Sequence, residues 1–197
     1  ERRSEEDFAR EIQRNWETSI KGRVYDEIVN IIKGKFPYNP DWPLYASWDF
    51  GLDGTAIGWW QKNLINGKKR RIESYENNNK TIQFYFPLFG LPNDSLFEYT
   101  NEELDFINKV KIFKKAIHFG DPDVRKRAFQ SKETVSTRQE LTKVGIYVQT
   151  KPESNTYHIR RNATKVLLQQ ATEINETPEN EYWIECMQNA RYPERDD

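Results

Sequence analysis

The segment 44–76 constrains the fold more than any other. Three strand-like stretches, 44–50, 55–62 and 70–76, follow one another with very little chain between them. Gly51-Leu52-Asp53-Gly54 joins the first two as a tight turn, and Asn66-Gly67 separates the second from the third. Asn-Gly is a strong hairpin signal, because the favoured two-residue turn needs positive φ at both positions. Strands joined by turns this short pair antiparallel, so the chain is expected to hold a three-stranded meander.

After the meander the pattern changes. Residues 80–90 are ambiguous: Ile82, Phe84 and Phe86 alternate as in a strand, yet the segment equally suits the start of a helix. Residues 101–115 read as a helix, opened by the cap-like Thr100-Asn101-Glu102-Glu103. Ala116-Ile117-His118-Phe119-Gly120 is a short buried-type strand. A helix over 136–144 starts with Ser136 and Gln139 at capping-box spacing and ends at Gly145, and Ile146-Tyr147-Val148 makes a last strand. Residues 158–174 and 179–190 read as helices. Upstream, Phe8, Ile12, Trp16 and Ile20 form an apolar stripe on a helix over 5–20, and 23–34 suits a second short helix. Pro37, Pro40 and Pro43 then forbid regular structure. The expected organisation is an N-terminal helical linker over 1–42 and a domain over 43–197. The fold class is α/β, a mixed five-stranded sheet flanked by helices.

Composition agrees with one folded domain. Of 197 residues, 36% are hydrophobic and 31% charged, which is polar, but 14% are aromatic, which argues against disorder. Net charge is −1, so any nucleic-acid binding must come from local clusters rather than global charge. The single cysteine, Cys186, excludes an intrachain disulfide framework. No apolar run reaches the roughly 18–20 residues needed to span a bilayer, and the charged N-terminus lacks a signal-peptide stretch. An intracellular protein is expected.

Two aspartates carry the chemistry. Asp49 sits in the apolar, aromatic run Trp48-Asp49-Phe50. A carboxylate inside such a strand is expected to be buried, and since an unpaired buried charge costs several kcal/mol it needs a metal, a cation or several donors; an Asx turn is the plainer alternative. Asp53 lies in the turn, where aspartate is ordinary. Asp121 follows the strand Ile117-His118-Phe119-Gly120, at the carboxyl end where open α/β sheets place their ligands. Asp123 reads as a loop or cap residue. Two such carboxylates on neighbouring strands can hold two Mg²⁺ or Mn²⁺ ions roughly 3.5–4 Å apart, an arrangement suited to phosphodiester hydrolysis. Zinc is not indicated. His118 and His158 are 40 positions apart with no ligand-spaced partner, and each reads as an ordinary core or surface histidine. No phosphate loop or nucleophile elbow is present.

These residues carry a resemblance. Asp49-Phe50-Gly51-x-Asp53-Gly54-Thr55-Ala56-Ile57 resembles the first nuclease motif of the large subunits of tailed-phage terminases. Arg71-Ile72-Glu73-Ser74-Tyr75-Glu76 is similar to that family's third strand, Gly120-Asp121-Pro122 to its second acidic motif, and Gly145-Ile146-Tyr147-Val148 to the strand after it. Glu11-Ile12-x-x-Asn15-Trp16-Glu17 and Gly22-Arg23-Val24-Tyr25 look like the segment that joins the family's ATPase motor to its nuclease. The resemblance implies an RNase H-like fold and a metal-dependent endonuclease that cuts concatemeric double-stranded viral DNA in the host-cell cytoplasm. It also implies Asp49 and Asp121 as catalytic, metal-binding residues, and the ATPase domain, the small terminase subunit and the portal as partners, with no membrane. The family's third carboxylate lies on a C-terminal helix in a His-rich stretch that is not found before Tyr192-Pro193-Glu194-Arg195-Asp196-Asp197; Asp196 and Asp197 read as solvated tail residues.

Basic clusters are the expected DNA surface. Arg125-Lys126-Arg127 directly follows Asp121 and is placed to grip phosphates beside it, whereas Lys68, Lys69 and Arg70 stand at the hairpin tip. Lys109-x-Lys111-x-x-Lys114-Lys115, Arg138 with the polar segment 128–135, and Arg160-Arg161 are further candidates. Such contacts ignore base sequence and weaken steeply with salt. Two other readings stay open: an RNase H-like resolvase or transposase, and a catalytically silent nucleic-acid-binding or assembly module.

Overall fold

The structure, a computed structural model, describes residues 23–51, 54–92, 96–125, 135–151 and 156–192. The expected helix over 5–20 lies outside these residues. The meander is present: β2 (Leu44–Phe50) pairs antiparallel with β3 (Gly54–Lys62), and β3 with β4 (Lys69–Asn78). The chain then returns so that β5 (Ile117–Gly120) lies parallel to β2, and β6 (Val148–Gln149) parallel to β5. These are the five strands anticipated. Two three-residue strands extend the sheet to seven: β1 (Ile32–Gly34) and β7 (Glu173–Asn175), β7 lying parallel between β1 and β4. The order is β1-β7-β4-β3-β2-β5-β6.

Among the described residues, four α-helices flank the sheet. α1 (Asn101–Val110) and α2 (Thr137–Lys143) each begin with a complete capping box, Thr100 with Glu103 and Ser136 with Gln139. α3 spans Tyr157–Gln169, and α4 (Pro178–Asn189) starts from an N-cap at Thr177 with proline in its first turn. Several boundaries differ from expectation. The helix expected over 101–115 stops at Val110 and tightens into a 3-10 turn, Lys111–Phe113. The ambiguous segment is a 3-10 helix, Ile82–Phe89, whose Phe84, Tyr85, Leu88 and Phe89 are all buried. The helix expected over 23–34 is a 3-10 turn, Asp26–Asn30, followed by β1. The one expected over 158–174 ends at Gln169; Ala171 takes a positive φ of 49°, and the chain leaves as β7.

The sheet has two unlike faces. One carries Leu44, Ala46, Trp48, Ile57 and Trp59, packed under α1, α2 and the Ile82–Phe89 turn. Trp59 is fully buried, with ring centroids 5.7 Å from Phe89, 6.3 Å from Phe106 and 5.7 Å from Phe113. Aromatic side chains therefore do the work that Leu and Val do in most cores, each burying a large apolar area. On the opposite face α4 packs over β4. A smaller cluster of Ile28, Leu168, Ile174 and Ile184 ties the Asp26–Asn30 turn to α3, β7 and α4.

His118 belongs to the main core, as its plainer reading held. Its Nδ1 accepts a 3.0 Å hydrogen bond from the Trp48 indole N–H, and Phe89 meets its ring edge-on. Burial pulls its pKa down to about 4. The unfolded chain then takes up a proton near pH 6.5, where the folded chain does not. Stability is predicted to be full above pH 6.5 and to fall as pH drops toward 4, by on the order of 3 kcal/mol. Urea unfolding from pH 7 to pH 4 checks this: His118→Asn, which does not titrate, is expected to flatten that part of the profile.

Candidate functional site

The two aspartates are brought together by the β2–β5 pairing. The parallel register matches Ser47 with Phe119 and Trp48 with Gly120. One step further along both strands stand Asp49 and Asp121, at the carboxyl ends of neighbouring parallel strands. Side chains alternate across a sheet, so both leave the face opposite Trp48. Adjacent strands are about 4.8 Å apart, so Asp49 and Asp121 stand at one level on neighbouring chain segments. Gly120 permits close packing on the core face beside this pair. A β-carbon there would lie 2.9 Å from both Phe50 Cε2 and Val148 Cγ1, closer than packed carbons tolerate.

Asp49 is exposed, which corrects the expectation of a buried carboxylate. Its apolar neighbours Trp48 and Phe50 point to the core face, so no burial cost requires a counterion for it. The surrounding surface is open: Ser47 and Ile117, on the same face of β2 and β5, are exposed as well. Among the described residues, then, Ser47, Asp49 and Ile117 on this face are exposed, while α4 packs over β4. Asp121 is more enclosed, its side chain 16% exposed, and Arg160 of α3 donates a 2.8 Å hydrogen bond from Nη1 to its Oδ2. Sequence reading placed Arg160 only in a basic pair. Nothing in the sequence ties a residue 39 positions away to Asp121; the packing of α3 does so. Among the described residues no three His, Cys, Asp or Glu side chains gather to hold a metal ion. The aspartate pair still has suitable donors, since Mg²⁺ keeps several waters and is commonly held by one or two carboxylates plus phosphate oxygens.

The basic clusters fall in different places. Arg125 ends the 3-10 turn Pro122–Arg125 that begins directly after Asp121. Lys126 and Arg127 lie outside the described residues, as do Asp53, Asp196 and Asp197. The hairpin cluster is not brought to the aspartates. Ala56 pairs with Asp49 and Lys62 with Lys69, so six residues of β3, about 20 Å, separate the two sites. Lys68 and Arg70 both engage the Glu173 carboxylate, at 2.5 and 2.7 Å. Burial pushes Glu173 up, but hydrogen bonds from Lys68 and Arg70 outweigh it and hold the carboxyl below its usual range. Arg70 also lies 4.6 Å over Trp42, and Lys69 contacts Gln170.

Arg71, next in the same run, is buried. Its guanidinium lies 4.1 Å from the Trp183 ring and 4.8 Å from Trp60, and its Nε donates to Ser74 Oγ and Asn180 Oδ1. Desolvation pulls its pKa down to about 9, with Glu73 opposing. Glu73 is buried too, and its pKa is raised by that burial; Lys109 at 2.5 Å and Thr177 at 2.7 Å oppose the rise. Asn180 links this network. It accepts from Arg71 and Ser74 and donates to the carbonyls of Ile72 and Asn175, fixing α4 to β4.

No protein-family profile matches the chain, and no curated protein matches it in sequence. Solved structures do share its fold. The large terminase nuclease from thermophilic phage G20c superposes with a TM-score of 0.56 at 14% identity, over 89% of this chain and 84% of that one. The P22 large terminase nuclease domain gives 0.55 at 12% identity, over 84% and 77%. The nuclease domain of the SPP1 large terminase, solved with bound Mn, gives 0.50 at 12% identity, over 85% and 82%. The fold is therefore the RNase H-like one of terminase nucleases, as the resemblance implied.

Two outcomes test this arrangement of the site. Gly120→Ala is predicted to cost about 1–3 kcal/mol through overpacking against Phe50 and Val148, read from the urea midpoint. Asn180→Ala strips Arg71, Ser74 and two carbonyls of a hydrogen-bond partner, and is predicted to cost about 2–4 kcal/mol; a change under about 0.5 kcal/mol, read the same way, would contradict the network.

Proposed function

We propose that the chain is the nuclease domain of a phage terminase large subunit, a divalent-metal-dependent endonuclease that cuts concatemeric double-stranded DNA during genome packaging. The observation that carries this reading is the adjacent placement of Asp49 and Asp121 at the open end of β2 and β5, on a fold shared with terminase nucleases. In this reading the two carboxylates hold Mg²⁺ or Mn²⁺. Terminase nucleases of the same fold have been solved with bound magnesium and with bound Mn, which supports the choice of metal. When bound, the metal supplies an activated water and charge stabilisation on the phosphodiester.

The residues of the chain then act as follows. Asp49 and Asp121 bind and orient the cation. The uncovered face of β2 and β5 gives the duplex an approach that α4 denies it over β4. Arg125, Lys126 and Arg127 grip phosphates beside Asp121, and Lys68, Lys69 and Arg70 offer a second, distant contact. The ATPase motor domain, the small terminase subunit and the portal are the proposed partners, in the host-cell cytoplasm. Among the described residues no helix is long and apolar enough to cross a membrane. One observation favours a second reading, a catalytically silent DNA-binding module: Arg160 already occupies an oxygen of Asp121, and no third carboxylate joins the pair among the described residues.

Cleavage of supercoiled plasmid in Mn²⁺, Mg²⁺ or EDTA separates the two. Nicking or linearisation is predicted only with metal, and Asp49→Asn and Asp121→Asn are each predicted to slow it about a hundredfold or more, the several kcal/mol expected of a metal-binding carboxylate. Full activity in both variants would show that the site lies elsewhere, and no cleavage with either metal would favour the silent module. In DNA-binding titrations, neutralising Arg125, Lys126 and Arg127 together is predicted to lower the log–log salt slope by about 0.9 for each phosphate no longer neutralised. Neutralising the hairpin cluster should lower it less, because Lys68 and Arg70 are tied to Glu173.

A further inference from the structure

A cavity of about 540 Å³ runs along the outer edge of β4, between α1 and α4. That is the size of a small-molecule site. Its floor includes Ala56, the cross-strand partner of Asp49, so it opens one strand away from the aspartate pair. Tyr75, Phe106, Tyr182 and Trp183 supply aromatic walls. Glu76 and Glu102, both exposed, stand on its rim.

Arg71 is the polar group that needs explaining. Its residue is 6% exposed, and only Nε is hydrogen-bonded. Among the described residues neither Nη group has a hydrogen-bond or ion-pair partner. Both lie over Gly58, where a β-carbon would come within 2.8 Å of Nη1 and 2.9 Å of Nη2. The absence of a side chain at Gly58 leaves room for the guanidinium fork, and the fork lines the cavity. Neither Nη is a sealed, partnerless atom, so the four N–H donors of the fork open onto the cavity and are available to an acceptor bound there.

The surroundings decide what that acceptor is. A free anion would satisfy the fork but would meet the carboxylates on the rim. A neutral, flat molecule with two adjacent acceptors on one edge and donors on another satisfies both, and the aromatic walls suit its faces. Guanine has this pattern, with O6 and N7 accepting from an arginine fork and N1–H and N2–H₂ free to donate to a carboxylate. We propose that this cavity is a nucleobase pocket that takes an unstacked guanine, read by Arg71 and by the rim carboxylate of Glu76. Assigning that guanine to the DNA strand being cut rests on the nuclease reading; the binding itself does not.

The one cysteine of the chain provides a probe, because Cys186 is exposed and lines the cavity. The rate of its alkylation by a maleimide, measured without metal, reports occupancy whether or not the protein cuts DNA. Saturating guanosine is expected to slow alkylation at least fivefold, while adenosine, cytidine, inorganic phosphate and trilysine leave it within twofold. Arg71→Lys keeps the charge but loses the fork, and is expected to abolish the protection. Glu76→Gln, at an exposed position that does not threaten the fold, is expected to weaken guanosine protection severalfold. No protection by guanosine, equal protection by all three nucleosides, or full protection in Glu76→Gln would overturn the proposal. Protection by phosphate alone would make the cavity an anion site, and by trilysine alone a peptide groove; either result also overturns it.

Discussion

The parallel pairing of β2 with β5 is the interaction on which the site depends. It joins the meander to the second half of the chain, and its register alone brings residues 49 and 121 to the same level. A slip of one residue would turn one of the two aspartates to the core face, since side chains alternate. Packing holds the register on that face. Trp48 stacks with Phe50 at 5.3 Å and with Phe89 at 4.9 Å and donates to His118, while Gly120 fits beneath Phe50 and Val148. The aromatic core thus stabilises the fold and also fixes the spacing of two carboxylates on the opposite side of the sheet.

The two halves of that opposite side differ in chemistry. Over β4, the helix α4 is bound by a buried polar network in which Arg71, Glu73, Ser74, Thr177 and Asn180 engage one another with Lys109 at the edge. Buried charges are tolerated only when paired and hydrogen-bonded, so this half behaves as a rigid wall. Over β2 and β5, Ser47, Asp49 and Ile117 are exposed, with no helix packed over them among the described residues. The wall positions Arg71 and its cavity beside that half.

Much of the fold was legible in the sequence. The meander showed in its turns, and the capping boxes at Thr100 and Ser136 marked two helix starts that the structure retains. β1 and β7 were missed because three residues give no periodicity, and because α3 ends without a glycine: Ala171 adopts the left-handed conformation that usually carries a glycine signal. The two aspartates stood out because each follows an apolar strand. The argument that Asp49 is buried failed, since apolar neighbours in sequence occupy the other face. Arg160 was visible only in a basic pair, and Arg71 only in a basic run and as the first residue of a strand motif. One contacts Asp121 and the other lies between two tryptophans, through helices far away in sequence, and spacing along a chain does not encode such contacts.

Paramagnetic broadening by Mn²⁺ tests the central claim, that Asp49 and Asp121 form one cation site, most directly. With substoichiometric Mn²⁺ added to the ¹⁵N-labelled protein, the amide signals of residues 48–50 and 119–121 are predicted to vanish first, and to persist in Asp49→Asn and Asp121→Asn. Broadening centred elsewhere, for example at Glu102 and Glu103, or broadening at the aspartates that survives both substitutions, would contradict that claim.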